Sequence, residues 1–203
     1  IAKQKAEEDS RTKQVSSYLN KQGVMLGASV MIVTQIVMVA IMTMTPVHMG
    51  HHGHGLHAIG LIIGIHVGSM YLPSLVTGIL VDKVGRITMA IAAGVTLLLS
   101  GILASVVTDS MWMLGVALAL LGLGWNFGLI SGTALLVDST SPSNRAKTQG
   151  SVDVFIALAG ASGGVLSGVI VAYTSFSTLS ITGGVLSLLL IPVAIWYRYK
   201  TIK

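Results

Sequence analysis

The sequence contains no cysteine. That excludes a disulfide framework, a thiolate metal site and a cysteine nucleophile. Charge is nearly as scarce: 9% of the 203 residues are Asp, Glu, Lys or Arg, against roughly 25% in a soluble globular domain. A chain so poor in charge points to lipid rather than water as its solvent. Paired acid/base or nucleophilic groups are missing, as are a phosphate loop, a Ser/His/Asp triad and a carboxylate-rich metal cage. Enzymatic catalysis is therefore not expected, and neither is a prosthetic group.

What the chain does have is apolar length. Hydrophobic residues make up 53% of it and the mean hydropathy is +0.83. Six segments are long enough to cross a hydrocarbon core, which takes about 20 helical residues. They are expected at approximately 24–44, 56–81, 87–107, 111–137, 150–173 and 176–196. The fold class is thus an all-α membrane protein, with a transmembrane domain over 24–197 and a short tail at 198–203. Residues 1–23 form a charged, polar linker without a sustained apolar face. No signal-peptide pattern stands ahead of the first span. The start at Ile1, in that polar run, reads as the middle of a longer polypeptide.

The basic residues set an expected orientation. All 12 Lys and Arg fall in the linker, the 82–86 turn, the 138–149 loop or the tail. The loops at the other end (45–55, 108–110 and 174–175) contain none. Positive residues stay cytoplasmic, so both ends of the chain are expected inside, in a plasma membrane. The pI of about 9.6 is then an orientation signal, and nucleic acid is not an expected partner; membrane lipid is.

Glycine organises the expected packing. Gly60, Gly64 and Gly68 recur on the second span, Gly124, Gly128 and Gly132 on the fourth, and Gly160, Gly164 and Gly168 on the fifth. Small residues every four positions let helix backbones approach in lipid. The second and fifth spans hold equivalent places in two three-span units, which hints at a three-plus-three repeat.

The candidate chemistry runs from Met38 to Met70. Met38 and Met42 stand at i, i+4 on the first span, and His66 and Met70 do so on the second. Between them a His-rich stretch carries His48, Met49, His51, His52, His54 and His57 as a candidate outer capture loop. Thioethers and imidazoles suit a soft metal such as Cu(I). At about 100° per residue, Gln35, Met38 and Met42 share one face. His66 and Met70 lie roughly opposite the second-span glycines, so the expectation is that the glycines pack while His66 and Met70 look into a cavity. Met is also an ordinary filler of membrane helices, whereas a buried intramembrane histidine is usually functional.

Other polar positions are few. Asn126, beside Trp125, either lines the cavity or bonds a neighbouring helix. Asp153, near the start of the fifth span and close to Arg145, serves either proton coupling or gating; an acid near a helix N-terminus is also favourable electrostatically.

One turn carries a family resemblance. Gly78-Ile79-Leu80-Val81-Asp82-Lys83-Val84-Gly85-Arg86 is similar to the G-x-L-x-D-x-x-G-R signature of the major facilitator superfamily. With six spans, the chain resembles one half of such a transporter, helices seven to twelve, and implies a missing N-terminal six-helix half as its partner. The resemblance implies secondary transport by alternating access, with Gly78, Asp82, Gly85 and Arg86 in a gating motif. The Met-x-x-x-Met and His-x-x-x-Met pairs further resemble the CcoA-like copper-importing branch, which implies ligand roles for Met38, Met42, His66 and Met70 and copper as the substrate. Transport of a small organic solute past Gln35, Trp125 and Asn126 is the first alternative. A non-transporting membrane metal-binding or assembly protein is the second.

Overall fold

The computed structural model describes residues 19–106 and 110–202. Most of the expected linker (1–18), Val107, Asp109 and Lys203 lie outside the described residues, as do the side chains of Arg198 and Lys200. Eight helices follow: α1 (Lys21–His51), α2 (Leu56–Tyr71), α3 (Ser74–Val84), α4 (Arg86–Val106), α5 (Met111–Asp138), α6 (Pro142–Tyr173), α7 (Phe176–Ser187) and α8 (Leu190–Ile202). They make six apolar spans of membrane-crossing length, α2 with α3 forming the second and α7 with α8 the sixth.

Two spans expected to be continuous are broken, and proline accounts for both breaks. Pro73 has no N–H to give the Ser69 carbonyl, so the second span stops at Tyr71 and restarts at Ser74. Pro192 likewise has none for the Leu188 carbonyl. There the chain tightens instead, with Leu188, Leu189 and Ile191 each bonding the carbonyl three residues back. Two other helices overrun the expected limits. The first begins at Lys21, where the Asn20 side chain accepts from the Gln22 and Gly23 amides at 3.2 Å. It then continues past Pro46 to His51, so His48, Met49 and His51 are helical rather than in a loop. Its 31 residues reach about 46 Å, well beyond a hydrocarbon core. The fifth begins at Pro142, which needs no amide partner at a first helical position. Residues 142–149 are therefore helix, not loop.

The packing is centred on α5. It contacts α1, α2, α3 and α4, while α1 also holds α6 and α7, and α4 also holds α7 and α8. Exchanging spans one to three with spans four to six carries the principal pairings onto each other. First-with-fifth becomes fourth-with-second, and third-with-fourth becomes sixth-with-first. First-with-fourth and third-with-sixth map onto themselves. That is the contact pattern of two three-span units.

Close backbone approach is concentrated where a side chain would not fit. A Cβ on Gly122 would lie 2.5 Å from the His66 carbonyl oxygen, and one on Gly101 would lie 2.5 Å from the Ser180 carbonyl oxygen. The fourth-span glycines at 124, 128 and 132 pack as their spacing suggests, against Leu97, Thr34 and Met31. Gly160 and Gly164 face α1. The glycines of the second span do the opposite of what was expected. A Cβ on Gly60 or Gly64 would meet nothing within 4 Å, and one on Gly68 would meet only Leu72 of the same span. A groove of about 550 Å³ runs along this open face, floored by Gly60, Gly64 and Gly68 and ended by Pro73. The His66/Met70 face is the one that packs.

Candidate transport site

Three groups meet at mid-span. Gln35 lies halfway along α1, Trp125 halfway along α5, and Tyr71 ends α2 at the break. The Trp125 indole N–H donates to Gln35 Oε1 at 2.8 Å. Tyr71 presents its ring at 74° to the indole, with centroids 5.9 Å apart, the edge-to-face geometry that aromatic quadrupoles favour. Gly160 makes the room: a Cβ there would sit 3.1 Å from Gln35 Nε2. The indole is 8% exposed, but Tyr71 is 59% exposed, so the cluster reaches the open side of the bundle. Sequence reading singled out Gln35 and Trp125 and missed Tyr71, whose only signal is an aromatic directly before the Leu72-Pro73 interruption.

Asn126, next along α5, bonds a neighbouring helix rather than lining a cavity. Its amide nitrogen donates to the Met70 carbonyl at 2.7 Å and to Ser74 Oγ at 2.9 Å, and its oxygen accepts from Thr77 Oγ1. All of these partners flank the proline break. The side chain is a clasp that ties α2 and α3 to the middle of α5, so its place among cavity-lining polar groups is corrected. Ser74 and Thr77 were not singled out from sequence; hydroxyls in the first turn after an intramembrane proline are the pattern to look for.

His66 is 1% exposed. Its Nδ1 lies 2.9 Å from the Leu118 carbonyl oxygen. A carbonyl only accepts, so Nδ1 carries the hydrogen. Nε2 is buried and has no hydrogen-bond partner among the described residues. Met38 and Met70 are buried in the same apolar cluster as Trp125, with Met42 packed against it at partial burial. Met38 and Met70, with Met42 against them, thus belong to packed core instead of an open channel, and His66 is buried as well.

The outer ladder comes apart further. Met49 is 1% exposed and belongs to that core, so it is not available to a capture loop. His51, His52 and His57 are exposed, His54 is half-buried, and His48 stacks between His52 and Phe176. Among the described residues, no three His, Cys, Asp or Glu side chains are gathered to hold a metal ion.

At the opposite end, the turn between the second and third spans is tied down by charge. Arg86 Nε donates to Asp138 Oδ2 at 2.9 Å, Arg86 Nη2 lies 3.1 Å from Asp82 Oδ1, and Nη1 donates to the Val81 carbonyl. Gly85 supplies the turn with φ of 102°, a conformation that side chains disfavour. Asp138 is the partner that sequence reasoning missed, 52 positions away. Gly78 makes no close approach to any neighbour. Asp153 is exposed and accepts from Gln149 Nε2 at 2.8 Å, while Arg145 reaches the Val137 carbonyl. These two are not paired with each other.

Comparison with known proteins supplies the rest. Residues 25–203 match the Major Facilitator Superfamily. The chain is 67% identical over 180 residues to the MFS-type transporter YdeG of Bacillus subtilis, covering 88% of this chain and 42% of that protein. It is 63% identical over 180 residues to YddS of the same organism, with 88% and 41% covered. A more distant likeness, 31% over 164 residues, is to the riboflavin transporter RfnT of Brucella anthropi, covering 80% of this chain and 41% of that protein. The chain thus spans less than half the length of these relatives. Six apolar spans, the two-unit packing and the match over nearly all described residues agree: the chain belongs to the Major Facilitator Superfamily, a family of multi-pass membrane transporters and not of enzymes.

Proposed function

We propose that this chain is the helix seven-to-twelve half of a secondary transporter that works by alternating access and carries a small, planar organic solute. The observation that carries this reading is the Tyr71–Trp125–Gln35 cluster. It combines an aromatic platform with a fixed polar group at mid-span, the depth at which transporter sites are built. Flat rings stack on such groups, and Gln35 keeps its amide nitrogen for a solute carbonyl or ring nitrogen. The riboflavin transporter among the relatives is in keeping with a planar, heteroatom-rich substrate.

In this reading the basic end faces the cytoplasm of a bacterial cell. The groove over Gly60, Gly64 and Gly68 receives the other six-helix half of the polypeptide. Arg86, Asp82 and Asp138 hold the cytoplasmic end closed in one state of the cycle, and Asp153 meets a partner on the other half as a gating or coupling group.

A second reading, copper uptake, is favoured by one specific observation: the buried, unpartnered Nε2 of His66, on the same helix as Met70 and four residues from it. Thioether and imidazole are ligand types that suit Cu(I). A non-transporting metal-binding protein would share that site.

Uptake of labelled riboflavin and of copper into cells carrying the full-length protein separates the readings. Riboflavin uptake abolished by Trp125→Ala and retained in His66→Leu supports the solute reading. Copper uptake abolished by His66→Leu supports the metal reading. Copper binding without uptake of either would establish the non-transporting protein instead.

A further inference from the structure

The bond between Trp125 and Gln35 fixes more than the place of the amide. An indole N–H can only donate, whereas a glutamine amide offers an acceptor oxygen and two donor hydrogens. The 2.8 Å bond from Trp125 Nε1 therefore decides which way the Gln35 amide is turned. Its oxygen is committed to α5. Its nitrogen donates to no group among the described residues. It lies where α6 has Gly160, since a Cβ there would come within 3.1 Å of Nε2. The nitrogen is not sealed in: among the described residues, only His66 has a side-chain nitrogen or oxygen that is both fully buried and unpartnered. Charge is absent from the helices that build the cluster. α1 carries no Asp, Glu, Lys or Arg after Lys21, α2 carries none, and α5 carries none before Asp138.

We propose that Trp125 is a specificity-determining positioning residue, which holds Gln35 as a donor-only reader of the solute. The site then selects uncharged planar heterocycles that present an acceptor edge, a ring nitrogen or carbonyl, and rejects rings that present an N–H there. The inference rests on the solute reading above and narrows it from flat solutes in general to one polarity of edge. A solute N–H would meet the Gln35 N–H hydrogen against hydrogen. The amide cannot turn to receive it without leaving the indole N–H unpartnered in an apolar setting, which is costly. A ring nitrogen or carbonyl instead satisfies the free donor while the flat ring packs on the aromatic groups. Sites that hydrogen-bond one edge discriminate sharply, because the wrong ligand leaves their polar groups unpaired.

A competing account is that the bond merely braces α1 against α5. Two neutral three-ring probes separate the accounts: phenazine, whose ring nitrogens only accept, and carbazole, whose N–H only donates. Their binding to the purified full-length polypeptide is measured by equilibrium dialysis in detergent. The ratio of the two affinities is compared between variants, so partition into micelles and any fall in the folded fraction cancel. Wild type should prefer phenazine, and Tyr71→Ala should weaken both probes, which places them at the cluster. Trp125→Phe keeps a ring but frees the amide to turn, and should cut the preference for phenazine about tenfold. Gln35→Met, which removes the amide, should cut it likewise. A brace alone would weaken both probes equally. An unchanged ratio in Trp125→Phe therefore overturns the proposal and leaves the aromatic site standing. Failure of both probes to bind the wild type, or binding untouched by Tyr71→Ala, overturns the solute reading and the proposal with it.

Discussion

Asn126 and Met70 are joined across 56 positions by a 2.7 Å hydrogen bond from the side-chain amide to the backbone carbonyl, next to the residue where proline interrupts the second span. The bond shows how a broken membrane helix is kept in register. Backbone freed by the proline is tolerated because a polar side chain from the central helix is supplied to it.

Replacing Asn126 by Leu should therefore destabilise the protein by about 1–3 kcal/mol, the cost of leaving buried polar groups unpaired. Thermal unfolding of the full-length protein in detergent measures it. The loss should be smaller when Pro73→Ala is already present, because a continuous second span needs the clasp less. Equal losses in the two backgrounds would show that the clasp and the break are independent.

Gly122 and Gly64 should respond oppositely to the same change. Gly122→Val forces a side chain against the His66 backbone and is expected to cost about 1–3 kcal/mol through overpacking. Within this chain Gly64→Val meets only open space. If the groove receives the other half of the polypeptide, Gly64→Val should leave helix content intact yet impair transport by the full-length protein. Wild-type transport in Gly64→Val would leave the groove facing lipid.

The Arg86 contacts are partly exposed, with side-chain exposures of 32% for Arg86 and 53% for Asp138. An ion pair in that setting contributes at most about 1 kcal/mol. Asp138→Asn should change the melting temperature little while altering the transport rate. A large fall in stability with unchanged transport would make the pair a structural fastening and not a gate.

His66→Leu tests what the unpartnered nitrogen is for. Leucine fills comparable volume without a lone pair, so a packing role predicts stability at or above wild type and full transport. Loss of transport in a stable His66→Leu protein would assign the nitrogen a part in the substrate path.

The six spans, the all-helical class and the packing glycines of α5 were legible in the sequence, because length and small-residue spacing are local properties. The breaks were less so. Pro46, Pro73 and Pro192 look alike in sequence, yet α1 runs through the first while helices end before the second and near the third. At Pro73 the freed backbone meets the Asn126 side chain from α5, a contact that no local pattern carries. The face of the second span was read backwards for a related reason. In lipid both faces of a helix are apolar, so a stripe of Gly60, Gly64 and Gly68 does not say whether its neighbour lies in this chain. The partner of Gly64 is not within 4 Å here, while His66 found its neighbour through the gap at Gly122. The polar centre was half visible: Trp125, Asn126 and Gln35 were singled out as types, but which of them clasps and which faces open space depends on Tyr71, Ser74 and Thr77.

Two three-span units of odd length must lie upside down with respect to each other. The counterpart of the Asp82–Arg86 turn is then the turn at Thr174 and Ser175, which carries no charge and is held by Ser175 accepting from the Thr178 amide. The molecule's two ends are consequently unequal in kind. One is fastened by ion pairs that dissolved salt weakens over a Debye length of about 8 Å; the other is fastened by rings and hydroxyls that salt hardly touches. Ionic strength varied on one side of a sealed vesicle should alter the cycle only when it is the side of Arg86, a vectorial sensitivity that follows from the inversion alone.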